Sequence, residues 1–144
     1  MLLKLTKDLP ELRKSANATI DTEAEALRLT FITPGDGQAM AYQQKKLEAE
    51  AYLANTLISP AEVPHIAFEA EAAGVSLMEQ SMLVVTMFHE WQQISALIEK
   101  ARLSAKSRVG QAADPQAIET AAQVDWSEVL GLANRSAVVD NVSQ

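Results

Sequence analysis

The chain has 144 residues, enough for one hydrophobic core but not for two large domains. It contains no cysteine, which excludes disulfides and thiolate chemistry, and its formal net charge of −7 argues against broad nucleic-acid binding. Abundant alanine and few aromatic residues favour helices over strands. We predict an all-α fold, with a single helical domain over residues 1–126 and a C-terminal tail or docking segment over 127–144.

Two helices are predicted in the first part of the chain, over residues 9–32 and 37–56. The first begins after Asp8-Leu-Pro-Glu11, which has the spacing of a capping box with an early proline. It ends before Pro34, because a residue that precedes proline avoids helical backbone angles. Since the connection between the two helices is short, a helical hairpin is predicted.

The corner of this hairpin lies in "FITPGDGQAMAYQQK", residues 31–45, which has the glycines of a phosphate-binding loop. Such a loop follows a strand and places Lys and Ser or Thr directly after its last glycine. Here a helix precedes the turn, Gln38 follows Gly37, and the next lysine is Lys45. A structural turn is therefore favoured, although the amides that start the second helix could hold an anion.

A short helix and a long helix are predicted next. Ser59-Pro-Ala-Glu62 is a capping box that Pro64 interrupts, so the short helix covers residues 64–73. Gly74 is suited to end it in a left-handed conformation. The long helix covers 77–109, begins after Ser76-Leu-Met-Glu79, and ends at Gly110.

The long helix carries apolar residues that repeat every seven positions, as in a helical bundle. These residues are Leu77, Val84, Trp91, Ile98 and Ala105, with Met87, Ile94 and Ala101 as their partners. Leu83, Phe88 and Leu97 widen this apolar stripe. Such a width favours packing against more than one neighbouring helix, so the hairpin and the long helix are predicted to form a small bundle.

The C-terminal part contains two further helix starts, Asp114-Pro115 and Asp125-Trp-Ser-Glu128. Trp126 follows a short connection, and two interpretations of it stay open: packing on its own bundle, or docking on a neighbouring subunit. On the second interpretation, the predicted partner-binding residues are Trp126, Val129, Leu130 and Leu132.

Charge is unevenly distributed along the chain. No Lys or Arg occurs from Leu47 to Glu99, whereas glutamates recur there and basic residues cluster after it, from Lys100 to Arg108. One interpretation is a solvated acidic face and a helix end that cations complement. The other is an acidic patch that meets a basic partner surface.

No catalytic, cofactor-binding or metal-binding residues are predicted. "HEWQQ", residues 89–93, resembles the zinc motif HExxH but has Gln where the second histidine is required. The other histidine, His65, lies four residues before Glu69, and two ligands do not complete a zinc site. An enzyme that uses helical carboxylates, with Glu69, His65, His89 and Glu90 as the residues to test, is the least favoured hypothesis.

The segment "IDTEAEALRLTFITPGDGQAMAYQQKKLEAEAYLAN", residues 20–55, resembles a helical segment of small tail-region and fibre-associated proteins from tailed bacteriophages and prophages of proteobacteria. The matching elements are Arg28, Ile32 to Gly35, Gly37-Gln38, Tyr42, Lys45 and Glu50 to Leu53. Further matches are Gly74-Val-Ser, Trp91, "IEKARLSAK" at 98–106 and "VDW" at 124–126. The resemblance covers residues 15 to 126.

This resemblance implies a role in the virion or in tail assembly and brings no catalytic activity. We therefore expect a non-enzymatic virion component of the tail, baseplate or fibre region, made in the cytoplasm of the bacterial host. Its expected partners are other phage tail or virion proteins and further copies of itself, with no nucleic acid, membrane, small-molecule substrate or cofactor. The alternative is a tail or fibre assembly chaperone or adaptor that is absent from the mature particle.

Overall fold

The computed structural model describes residues 8–32 and 38–135. Over these residues the chain forms six α-helices and one short 3₁₀ helix, and no strand. They are α1 (Leu9–Arg28), α2 (Gln38–Ala54), the 3₁₀ helix (Pro60–Glu62), α3 (Pro64–Ala73), α4 (Leu77–Gln111), α5 (Pro115–Ala121) and α6 (Ser127–Ala133). The predicted all-α fold is confirmed.

The contacts divide the chain into two compact units. We call residues 8–32 with 93–135 the terminal unit, and residues 38–92 the middle unit. Helix α4 begins in the middle unit and continues into the terminal unit. The predicted hairpin corner falls on residues 33–37, outside the described residues. The predicted boundary at residue 126 stays a prediction, and α6 lies just beyond it.

Local sequence signals account for several helix ends. Gly74 ends α3 with φ 70° and ψ 31°, the left-handed conformation that was predicted. Ser59 and Glu62 form the predicted capping box, which here starts the 3₁₀ helix. The Asp114 carboxylate accepts a hydrogen bond from the Ala117 amide, 2.8 Å away, and so caps α5.

Helix α1 begins at Leu9 as predicted, but two predicted capping signals are not observed. Asp8 precedes α1 but makes no side-chain capping bond, so its capping box is absent. Gly110 lies inside α4, which runs on to Gln111, and its φ is not positive. The extended backbone of Asp114, which precedes a proline, marks the break before the next helix instead.

The terminal unit buries its apolar side chains in two clusters. The first cluster joins α1, the end of α4 and α5 through Ala16, Ile20, Ala105, Val109, Ala112, Ile118 and Ala121. The second joins α1, the middle of α4 and α6 through Ala24, Ile94, Ile98, Val129 and Ala133. The predicted seven-residue repeat therefore faces a core in this part of α4, at Ile94, Ile98 and Ala105.

The middle unit has a smaller and more polar interior. Its buried apolar residues are Ala49, Val63, Ile66 and Ala70, which come from α2, α3 and the connection before α3. The buried polar residues among those described, Glu48, Gln80 and Ser81, all lie in this unit. Among the described helices, none combines the length and apolar character needed to cross a membrane.

Candidate docking surface

The four residues predicted to bind a partner lie in or next to α6. Trp126 and Leu132 pack against the second cluster of the terminal unit, and Val129 belongs to that cluster with 1% of its surface exposed. The Trp126 indole also donates to a Glu23 carboxylate oxygen, 3.4 Å away. Leu130 is 48% exposed. Trp126 therefore packs on its own unit, and partner binding by these four residues stays a prediction.

The residues chosen to test the enzyme hypothesis lie on two helices, His65 and Glu69 on α3 and His89 and Glu90 on α4. The Glu69 carboxylate accepts a hydrogen bond from Gln80 Nε2 at 3.0 Å and lies 3.0 Å from Lys45 Nζ. His65 contacts Glu48 instead of Glu69, and His89 is exposed on α4. No group of three or more potential metal ligands forms within the described residues.

A buried carboxylate, that of Glu48, contacts the start of α3 in the middle unit. Glu48 lies on α2 with a 3% exposed side chain, and its Oε1 accepts the backbone N–H groups of His65, at 2.7 Å, and Ile66, at 3.4 Å. Its Oε2 lies 2.6 Å from His65 Nδ1, so the imidazole donates from Nδ1. Helix α3 starts at Pro64 after Val63, which cannot cap it, and Glu48 supplies the missing cap.

A histidine held by a carboxylate also occurs in general-base catalysis and in metal sites, where a nucleophile or further ligands complete the centre. In this chain both carboxylate oxygens of Glu48 are directed to the first turn of α3. The pair therefore attaches α3 to α2.

The first turns of α4 reverse the usual distribution of polar and apolar residues. One side of these turns contains buried Gln80 and Ser81, with half-buried Val84, Phe88 and Trp91. Gln80 Nε2 donates a hydrogen bond to the Glu69 carboxylate of α3. The Ser81 hydroxyl is fully buried and has no hydrogen-bond partner among the described residues.

The opposite side of the same turns faces solvent and is largely apolar. Met82 is 56% exposed and Leu83 is 42% exposed, with Met78 one turn before them. Glu79 and Thr86 lie on the same side, since residues three and four apart are neighbours on a helix surface. We call this side, residues 78, 79, 82, 83 and 86, the outward face of α4. Leu83, predicted to widen a core-facing stripe, is on this exposed face instead.

Exposure of apolar residues is a property of the whole middle unit. Eleven large apolar side chains are exposed among the described residues, and eight of them lie in this unit. The eight are Met40, Leu47, Leu57, Phe68, Val75, Met78, Met82 and Leu83. Scattered exposed apolar residues are normal on a protein surface, but such a concentration in one unit is typical of an interaction site.

The middle unit is also acidic. Its described residues contain seven glutamates against two lysines and no arginine, a net charge of −5. Both lysines are engaged within the unit: Lys45 pairs with Glu69, and Lys46 Nζ lies 4.8 Å from the centre of the Phe88 ring. Glu71 and Glu79 are exposed and have no cationic partner among the described residues. The exposed apolar side chains therefore lie in a negative field.

The terminal unit, in contrast, pairs its charges in a network between α1 and α4. Arg102 lies 2.7 Å from both Asp21 and Glu99, and Arg28 and Lys106 extend the network at 2.7 Å and 2.9 Å. Hydrogen bonds from Lys106 and Arg102 hold the pKa of Asp21 below its usual value. Those from Arg102 and Arg28 lower the pKa of Glu99, and the two carboxylates raise the pKa of Arg102.

Comparison with known proteins adds no family to this description: no protein-family model, curated protein or solved structure matches the chain. The resemblance to bacteriophage tail proteins stays a prediction from the residues quoted for it. Two of those residues, Lys45 and Arg28, form ion pairs in the described part of the chain. Lys45 pairs with Glu69, and Arg28 joins the ion network of the terminal unit.

Two features of the middle unit were not predicted from the sequence. The burial of Glu48 had one detectable signal, namely that α3 begins without a capping residue of its own. The outward face of α4 also had a signal: the predicted apolar stripe, which included Leu83, was too wide for one buried side. The seven-residue repeat identified the inward residues, and Leu83 was assigned to the core-facing stripe with them.

Proposed function

We propose that this chain is a non-enzymatic component of a bacteriophage virion, in the tail, baseplate or fibre region, that acts by docking helices on other virion proteins. One observation carries the docking part of the proposal. In the first turns of α4 the apolar Met82 and Leu83 face solvent while the polar Gln80 and Ser81 are buried. A helix that only had to stabilise a free monomer would place these residues the other way round.

The assignment to a phage particle is supported by the sequence resemblance of residues 15–126. An acidic, alanine-rich, helical chain that exposes apolar side chains is consistent with a subunit that is covered in an assembly. Further copies of the chain are among the proposed neighbours, and no chemical step is part of the proposed role.

Quantitative mass spectrometry of purified particles tests this proposal. We expect several copies of the chain per particle, in the fraction that contains tails. The double variant Met82→Gln/Leu83→Gln should fold but be incorporated at least about tenfold less, because it loses apolar contact area without losing a core residue. Leu103→Gln, an exposed residue of α4 in the terminal unit, is the matched control and should be incorporated normally.

If the chain is absent from purified particles, its binding to tail, baseplate and fibre proteins in infected cells decides between two interpretations. A chain that binds a tail or fibre protein in infected cells but is absent from particles would be the assembly chaperone or adaptor. A chain that is absent from particles and associates with no tail, baseplate or fibre protein would refute both roles.

A further inference from the structure

We propose that the outward face of α4 binds a basic amphipathic helix of a partner protein. The inference deepens the proposed function and rests on it, because it names the chemistry of the partner that the exposed surface accepts. It is carried by two independent properties of the middle unit: the exposed apolar residues of α4 and the unbalanced negative charge around them.

The apolar part of the site consists of Met78, Met82 and Leu83. Met78 and Met82 are one helical turn apart and form an apolar strip along the helix, and Leu83 lies on the other side of Glu79, which neighbours both Met82 and Leu83. A partner helix presents residues at the same three- and four-residue spacing, which allows its apolar side to lie along this strip. Methionine side chains adapt to different partner surfaces, because they are unbranched and polarisable.

The acidic part of the site determines that the partner helix should be positively charged. Glu79 lies beside the strip, between Met78 and Met82 in sequence, and Glu71 is exposed on α3. The two lysines of the described middle unit are occupied by Glu69 and by the Phe88 ring. A helix with Lys or Arg on either side of its apolar residues therefore gains both contact area and attraction, and the negative field also steers it to the site.

Other occupants are disfavoured by the same charge. A second copy that used the same face would bring both Glu79 carboxylates into one interface and one net charge of −5 close to another. Nucleic acids and anionic lipid surfaces are negatively charged and are repelled in the same way. A positively charged protein helix is the occupant that agrees with both properties.

Synthetic peptides provide a direct test with the full-length chain. Three labelled peptides of about five helical turns are compared by fluorescence anisotropy. The first is an amphipathic helix of Leu and Lys, the second replaces every Lys with Glu, and the third has the composition of the first in an order without an apolar side. We expect the first to bind at least about tenfold more tightly than either of the others, and to bind more weakly as salt is raised.

Variants locate the site. Met82→Gln/Leu83→Gln should weaken binding of the Leu/Lys peptide by about tenfold or more, and Glu79→Gln should weaken it by about twofold and reduce its salt dependence. The matched controls are Leu103→Gln on α4 and Glu119→Gln on α5, both exposed residues of the terminal unit, and they should bind as the natural chain does. Circular dichroism and Trp91 fluorescence show that each variant is folded.

Several results would overturn the inference. Equal binding of the Leu/Glu peptide removes the role of charge, and equal binding of the reordered peptide removes the role of the apolar strip. An equal loss in the control variants places the site elsewhere. Self-association in light scattering that Met82→Gln/Leu83→Gln abolishes would make a second copy the occupant.

The test separates this inference from the proposed function. If particles contain the chain but the Leu/Lys peptide does not bind, the partner chemistry is wrong and the virion role stands. If the peptide binds as expected but the chain is absent from particles and from every tail complex, the virion role is wrong and the docking surface stands.

Discussion

The two units of this protein satisfy their side chains in opposite ways. The terminal unit places its apolar residues in two buried clusters and joins its charges in a network around Arg102. The middle unit buries Glu48, Gln80 and Ser81 and exposes eight large apolar side chains. One helix, α4, contributes to both patterns, because its first part is in the middle unit and the rest is in the terminal unit.

This difference suggests separate roles for the two units in stability and in binding. Burial of apolar surface is the dominant stabilising contribution in folding, and the terminal unit uses its apolar residues in that way. The middle unit leaves large apolar side chains exposed to water. Such side chains contribute to binding when a partner covers them. We therefore interpret the terminal unit as the stable scaffold and the middle unit as the part that meets a partner. Four predictions test this comparison.

The largest expected effect is in the core of the terminal unit. Ile98→Ala removes a 1% exposed side chain from the second cluster, and the free energy of unfolding should fall by about 2–5 kcal/mol because of lost burial and the cavity that remains. Chemical denaturation followed by Trp126 fluorescence measures it, because Trp126 packs against the same cluster. A Trp91→Phe background isolates that signal.

The control for this prediction is Leu103→Ala on the same helix. Leu103 is exposed, so the same kind of truncation should change the free energy of unfolding by less than about 0.5 kcal/mol. If the free energy of unfolding falls equally in both variants, the terminal unit does not depend on a buried cluster. The contrast between the two units would then be wrong.

The second prediction concerns the buried carboxylate of the middle unit. Glu48→Ala leaves the amides of His65 and Ile66 and the His65 ring without their acceptor, and the free energy of unfolding should fall by about 2–4 kcal/mol. Glu48→Gln retains one acceptor oxygen and should lose less. Trp91 fluorescence in a Trp126→Phe background reports the transition.

Glu50→Ala is the matched control for the carboxylate. Glu50 lies on the same helix, is exposed, and pairs with Lys46 at 3.7 Å. Exposed pairs of this kind contribute well under about 1 kcal/mol. Equal losses for Glu48→Ala and Glu50→Ala would mean that Glu48 does not act as the cap of α3.

How far the sequence predicted this structure depends on the range of the interactions involved. The bounds of α3 and the start of α5 were predicted correctly, because Pro64, Gly74 and the Asp114-Pro115 pair act on neighbouring residues. The end of α1 was predicted four residues late, at residue 32 instead of Arg28. No local signal stops that helix at Arg28.

The candidate site was harder to predict, because it depends on which side of a helix is covered. The spacing of Val84, Trp91 and Ile98 identified a continuous apolar stripe but not its change of environment along α4. Whether Met82 faces a neighbour or solvent depends on the residues packed around α4, and those are distant in sequence. The burial of Glu48 likewise requires α2 to meet α3, which no short pattern encodes.

The third prediction uses acid to separate the units. The pKa values of Asp21 and Glu99 are lowered in the folded chain, so their ionised forms stabilise it above the usual carboxyl range, at about pH 4 and higher. This contribution disappears as the pH falls through the lowered pKa values. Asp21→Asn should reduce the free energy of unfolding at neutral pH by less than about 1 kcal/mol and make its decrease in acid less steep.

Denaturation at several pH values, followed through Trp126, measures this dependence. Glu119→Gln, an exposed carboxyl outside the network, should leave the acid dependence unchanged. An Asp21→Asn variant with the acid dependence of the natural chain would show that the network contributes nothing to the terminal unit.

The smallest effect is expected at Ser81, where the middle unit buries a hydroxyl without a described partner. Ser81→Ala should raise the free energy of unfolding by about 0.5 kcal/mol more than Ser104→Ala, an exposed change on the same helix with the same gain in helix propensity. The difference isolates the cost of burying the hydroxyl. A larger free energy of unfolding for Ser81→Ala than for Ser104→Ala would show that the interior of the middle unit is not optimised for stability alone. A loss of more than about 1 kcal/mol would instead assign Ser81 a stabilising contact, and the contrast between the two units would then be weaker than we describe.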